Sequence, residues 1–316
     1  MSQLPIVLEP LRQYFDGLPN WAKCALLSVP PVLLASAAVI KSRPRKSPII
    51  KDWEKDVVYL YTFSRAGTVP TFSPFCLKLE TWLRMTHIKH EVIQTMQLRS
   101  KEGTLPFVEL NGVEHPDSEL AIRDLSQILS KDQFESVLTD QEKSVAHAFE
   151  EMTENSLYMS YDYFRAGEVW ARTSGQLVAE ILGRIGQFWI FQSNPLIGRL
   201  YKTILLPLVT AWLNRKFIAH GVGRHNKEEI IYIGNTDLKA LSFQLGEKKY
   251  LMGETPTKLD AAVFAVVALI LFAEIDSPHM EFVQKNCQNL VHHCDRMKNQ
   301  FWPDWEDVCC SRPKKS

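Results

Sequence analysis

Ser73 and Cys76 are the side chains whose types and spacing best suit thiol chemistry. They lie in the stretch Val57 to Met85, VVYLYTFSRAGTVPTFSPFCLKLETWLRM. Ser73 precedes Pro74, and Phe75, Leu79, Trp82 and Leu83 recur at helical spacing. The spacing therefore predicts a helix with Ser73 as its N-cap and proline at its first position. Cys76 falls in the first turn, where unpaired backbone N–H groups and the positive end of the helix dipole can lower a thiol pKa. An exposed Ser hydroxyl or Cys thiol at such a terminus can hydrogen-bond a thiolate or take its place. The plainer alternative leaves Ser73 as a helix cap and turns Cys76 inward.

The elements that must position this pair read outward from it. Val57 to Tyr61 is a β-branched and aromatic run of the length of a buried strand, followed by a Gly/Pro/Ser/Thr loop. Thr104 to Leu110 (TLPFVEL) is a second strand signal, and Asn111-Gly112 after it is a hairpin signal. Asp117-Ser118 stand before Leu120, Ile122 and Leu125 and make a good N-cap for a third element. After Thr139 the pattern turns helical through Val145, Phe149 and Met152, then Leu157 and Tyr161, into an aromatic-rich segment ending at Trp170. Leu196 to Leu213 reads as a core helix kinked at Pro207, with a pocket-lining or membrane-facing helix as the other reading. In His220-Gly221-Val222-Gly223-Arg224 the glycines read as a helix break, and Arg224 as an ion-pair partner for Glu228 or Glu229. Thr257 and Asp260 open the apolar run Ala261 to Phe272 as a capping box with aspartate in the glutamate place, and so are structural.

A chain of 316 residues with 46% apolar composition can build two packed domains and an appendage. Lys+Arg and Asp+Glu both number 36, so net charge gives no sign of a nucleic-acid partner. Trp21 to Ile40 (WAKCALLSVPPVLLASAAVI) has about the length of a membrane span and one charge, Lys23. Lys41, Arg43, Arg45 and Lys46 follow, which places the folded part in the cytosol if the run is a single-pass anchor. Pro30-Pro31 in its middle keeps an amphipathic or disordered leader open. Six cysteines without CxxC pairs fit a reducing compartment. Cys287 and Cys294, with His292 and His293 between them, read as thiols on a core helix rather than a metal site, because adjacent histidines cannot share one face. Cys309-Cys310 read either as acylation sites or as part of a mobile tail.

Ser73-Pro74-Phe75-Cys76 after a strand resembles the CxxC position of thioredoxin-like folds with the first cysteine replaced. SPFCLKLETWLRM, HGVGR with Glu228 and Glu229, KKYLMG, TKLDAAVF and FWPDW, in this order over residues 57 to 305, resemble the failed-axon-connections family, with cadmium-responsive proteins and metaxins as relatives. The resemblance implies an α/β thioredoxin-like N-terminal domain over 57–132 and an all-α glutathione-transferase-like C-terminal domain over 139–306. These follow a tail (1–20), an anchor (21–40) and a basic linker (41–56), and precede a tail at 307–316. It implies glutathione as ligand or co-substrate, with Asp117 and Ser118 on its γ-glutamyl end. The Leu105 backbone beside a cis Pro106 would pair with its cysteinyl unit, and Ser73 would lie at its sulfur, with Tyr61 and Ser64 as lesser stand-ins. Two functions stay open. One is thiol, xenobiotic or metal-stress handling with glutathione; the other is an inactive, metaxin-like adaptor working through protein partners or a homodimer, in axon development or membrane-associated trafficking and import.

Overall fold

Both faces of β1 (Val58–Thr62) are covered, so its run VYLYT is apolar without alternation and every residue is buried. The computed structural model describes residues 48–131, 133–166 and 206–310, nearly all within one unit, Ile50–Ser316. From β1 the chain crosses through α1 (Pro74–Met85) to β2 (His90–Gln94), which pairs parallel to β1. β3 (Phe107–Leu110) pairs antiparallel to β1 and β4 (Val113–Pro116) antiparallel to β3, giving the order β2-β1-β3-β4. Asn111 (φ 51°) and Gly112 (φ 79°) supply the two positive φ values that a two-residue hairpin turn needs. α2 (Ser118–Ile128) closes this domain.

The other described elements are helical. Thr139 caps α3 (Asp140–Glu151) in a capping box with Glu142. A π-helical turn, Met152–Leu157, leads into α4, described over residues 158–166. α5 (Leu206–His220) ends at Gly221, whose φ of 107° confirms the helix break. Arg224 donates to the Ile218 carbonyl at 3.2 Å instead of pairing with Glu228 or Glu229. Glu229 is held by His225 and by the backbone of Asn226, the cap of α6 (Lys227–Leu245). Gly234 lets α6 approach α4, since a Cβ there would lie 2.4 Å from Ser160 Oγ and 2.5 Å from His279 Cε1.

α7 (Lys258–Phe272) is buried without a break from Leu259 to Ile270, as a helix apolar all round must be. It packs on α1 of the sheet domain and on α3, α8 (Pro278–Asn286) and α9 (Gln288–Phe301) of its own. Asp260, at its start, is wholly buried. One carboxylate oxygen accepts from Thr257 N–H (2.7 Å) and Oγ1 (2.9 Å); the other accepts from Leu251 N–H (2.8 Å) and lies 2.9 Å from His293 Nε2.

The last described element is α10 (Trp305–Cys310), which extends the helical domain past the expected limit at 306. Trp305 and Cys309 are buried there, which removes Cys309 from any acylation; Cys310 is exposed. His293 is buried on Asp260 while His292 is exposed, so Cys287, Cys294 and the two histidines do not converge. Residues 21–40 lie outside the described residues, among which no helix is long and apolar enough to cross a membrane.

Asp260→Ala leaves several buried donors unpaired. It should cost at least about 3 kcal/mol and lower the thermal midpoint by roughly 6–12 °C. A midpoint within two degrees of wild type in a thermal melt would contradict this role.

Candidate functional site

The pairing register brings three sequence stretches to one end of the sheet. Tyr61 at the end of β1 pairs with Phe107 at the start of β3, and Phe107 pairs with Pro116 at the end of β4. The loop leading to Ser73, the Leu105–Pro106 turn and the Asp117-Ser118 step therefore lie side by side. The Leu105–Pro106 peptide is cis.

Ser73 begins α1 as its N-cap, with Pro74 at the first position. Its half-buried Oγ accepts from the Cys76 N–H at 3.4 Å. Cys76 is fully buried. Burial pushes its thiol above the ordinary value, against the hydrogen bonds of Ser73 and Thr62. Desolvation thus outweighs the helix terminus, and Cys76 is no exposed thiolate nucleophile. Tyr61 is strand core: its hydroxyl donates to Glu109 at 2.9 Å and its ring stacks on Phe107 at 4.3 Å. Ser64 is half-buried in the loop.

Asp117 stands at φ 66° and ψ 151°, a region natural to glycine and costing about 1–3 kcal/mol for other residues. Its carboxylate accepts from the backbone N–H groups of Glu119 (2.7 Å) and Leu120 (3.2 Å), capping α2 itself. Ser118 is buried at the first helical position.

Glu119, next in sequence, enters a charge cluster that joins the two domains. Lys78 from α1 contacts Glu119, Glu150 and Glu154, and Lys258 from α7 contacts Glu119 and Glu150. Two ammonium groups thus face three carboxylates. Burial pushes the Glu150 carboxyl up to about 7, against the pull of Lys78 and Lys258. Burial also opposes the charged form of Glu119, but there Lys78 and Lys258 prevail and hold it below the usual range. The cluster is charge-balanced when Glu150 keeps its proton.

A wall of the helical domain packs on the residues flanking Ser73 and was not legible in the sequence. Phe75 meets the Tyr158 ring edge-on at 5.3 Å, and Arg165 donates to the Phe72 carbonyl at 2.8 Å. Asp162 pairs with both Arg165 and Lys216. The available signal was an acid and a base three apart on one helix, embedded in an aromatic run.

The β-α-β-β-β-α sheet domain with a cis proline at one end of the sheet, joined to helices around one buried apolar helix, defines a glutathione-transferase-like protein. A model of the glutathione S-transferase N-terminal domain matches residues 74–170, and one of the C-terminal domain matches residues 234–297. A glutathione transferase from Phanerochaete chrysosporium shares the fold, with a TM-score of 0.50 and 12% identity over 78% of this chain and 98% of that one. The Drosophila melanogaster protein "Failed axon connections" is 36% identical over 87% of this chain, and the alignment spans 66% of that relative's length. Mouse metaxin-2 is 31% identical over 29% of this chain and 35% of its own. The chain belongs to the failed-axon-connections and metaxin family of glutathione-transferase-like proteins.

Because Glu150 binds its proton more tightly folded (about 7) than at the ordinary carboxyl value of 4.5, its contribution to stability is full below the unfolded value. It is lost as pH rises through 7. Glu150→Gln keeps the neutral form at all pH. Its stability relative to wild type should therefore improve between pH 6 and pH 8, by about 1 kcal/mol or more. Chemical denaturation of both proteins at the two pH values reads this, and a gap that does not move with pH contradicts it.

Proposed function

We propose that this protein binds glutathione at the end of the sheet where Ser73, Leu105–Pro106 and Asp117-Ser118 lie. The observation that supports it most is the convergence of these three separate stretches through the register of β1, β3 and β4. The Leu105 backbone pairs with the cysteinyl unit in a strand-like way, the α2 N-terminus with Ser118 takes the γ-glutamyl carboxylate, and the Ser73 hydroxyl faces the sulfur. Ser73 then supplies a hydrogen bond to a thiolate, and any turnover is a thiol transfer or reduction without a protein thiolate. That Asp117 strains its backbone at this step agrees with a functional site.

A second reading, an adaptor of the metaxin kind acting through protein partners or as a homodimer, is favoured by one observation. The Asp117 carboxylate already occupies the N–H groups of Glu119 and Leu120. We further propose that residues 21–40 anchor the chain in a membrane as a single span with the folded domains in the cytosol, on the strength of the apolar run and the basic cluster after it.

Calorimetric titration of the full-length protein in detergent separates the two readings. Ser118→Ala should lose a charge-assisted hydrogen bond worth roughly 1.5–3 kcal/mol, about tenfold to a hundredfold in affinity. Ser73→Ala should keep affinity and lose any conjugation or thiol-reduction activity, while Cys76→Ser should change that activity less. Absence of binding at millimolar glutathione removes the site assignment; binding without turnover in wild type favours the adaptor. For the anchor, carbonate extraction should leave the protein in the membrane fraction, and protease added to intact membranes should digest the folded domains. Release by carbonate, or protection without detergent, refutes the topology.

A further inference from the structure

The wall that packs on the residues flanking Ser73 carries, among the described residues, more positive than negative charge, and that surplus has a definite address. Ser73 lies between Phe72, whose carbonyl accepts from Arg165, and Phe75, whose ring meets Tyr158. On the glutathione reading, α4 is therefore the element of the helical domain packed next to the sulfur position. There, Asp162 gives one carboxylate oxygen to Arg165 Nε and the other to Lys216 Nζ, each at 3.0 Å. One anion thus serves two cations. Arg165 is 2% exposed, and its contacts to Asp162 and Phe72 are those of a buried structural cation. Lys216 differs. Its side chain is 39% exposed, and one of its three ammonium donors goes to Asp162. Its Nζ lies 5.8 Å from the Tyr158 ring and 5.5 Å from the Phe217 ring, on aromatic faces that favour a cation without neutralising it. The unbalanced charge is therefore presented at Lys216, beside an apolar aromatic lining.

We propose that Lys216, with Tyr158 as its lining, is an anion-accepting subsite for the group carried on the bound thiol, and that this group bears a carboxylate. The proposal rests on the glutathione reading above. A neutral substituent finds only the aromatic lining, whereas an acidic one also completes the charge balance of Asp162, Arg165 and Lys216. The second ligand is then an acidic molecule, such as an electrophile or disulfide partner with a carboxylate near its reacting atom. Lys216 is a specificity-determining residue in this scheme and takes no part in bond making.

The test compares S-(carboxymethyl)glutathione with S-(carbamoylmethyl)glutathione, a neutral near-isostere, by calorimetric titration of the full-length protein in detergent. Wild type should bind the carboxymethyl conjugate about threefold to tenfold more tightly, the range expected of a partly exposed charge-assisted pair. Lys216→Met should abolish the preference, and Lys216→Arg, which restores the charge, should keep it. Equal affinities in wild type, or a preference that survives Lys216→Met, overturns the subsite and leaves the glutathione site standing. If neither conjugate nor glutathione itself binds, the glutathione reading falls and the subsite with it.

Discussion

Leu259 to Ile270 form an unbroken buried run in which Asp260 is the one ionisable side chain, so α7 is stable only with other elements on every side. α1 covers one side and α3, α8 and α9 the others. This requirement makes two domains into one packed body, because the sheet domain supplies part of the shell that the helical domain needs. It also fixes the site, since α1 is the helix that begins at Ser73. Asp260 shows the cost of starting such a helix in the core. A buried carboxylate is tolerable only with its lone pairs filled, and donors come from Thr257, Leu251 and His293 on three separate segments. Cap, preceding turn and α9 are thereby tied to one point.

Along α1, polar contacts then fix where the helical domain sits. At its C-terminal end Arg84 lies 3.9 Å over the Trp302 ring and grips Asp304 with both arms, while Trp302 Nε1 donates to Thr81. In the middle, Lys78 enters the carboxylate cluster. Next to its start, Arg165 holds the Phe72 carbonyl. Arg65, in the loop before Ser73, adds a bidentate pair with Glu80 of α1 and ties that loop to the helix. Buried ion pairs of this kind stabilise little against the loss of hydration, and their geometric demand does more. Those that cross between the domains, at Arg84 and Lys78, are each satisfied at one relative placement. The residues flanking Ser73 are thereby held against α4 through the Phe72 carbonyl and the Phe75 ring.

What could be read in the sequence was what depends on neighbours in the chain. Ser73-Pro74 announced the helix start, Asn111-Gly112 the hairpin, and Thr257 with Asp260 the cap, because in each the deciding contact spans a few residues. Cys76 shows where that reasoning stops. The helix terminus favours a thiolate, but complete burial against the sheet opposes it more strongly, and burial is a tertiary fact. Arg224 had two carboxylates within one turn and went to a carbonyl instead, because His225 and the Asn226 cap had claimed Glu229. Gly234 looks like a weak spot in a helix until Ser160 and His279 are found against it. Lys78 and Lys216 pass for ordinary surface lysines. Their partners come from other elements, with Asp162 and Lys216 54 residues apart.

The α2 N-terminus is the point at which the two functional readings compete physically. Its N–H groups at Glu119 and Leu120 favour one anion, and the Asp117 carboxylate fills that role now. A ligand carboxylate can enter by displacing Asp117, which exchanges one carboxylate for another on the same donors and gains little. It can also bind beside Asp117 at Ser118, where it meets a like charge. The lysines nearest this terminus do not help, because Lys78 and Lys258 are committed to Glu119, Glu150 and Glu154, which outnumber them. Under the glutathione reading, affinity beyond the Ser118 hydrogen bond comes from the Leu105 backbone and the sulfur end, where, among the described residues, Arg165 and Lys216 share the single carboxylate of Asp162. If the site works, it selects its ligand from the sulfur side. If that side too is idle, the strained Asp117 is simply a helix cap, and the same charged surfaces serve only to hold the two domains in register.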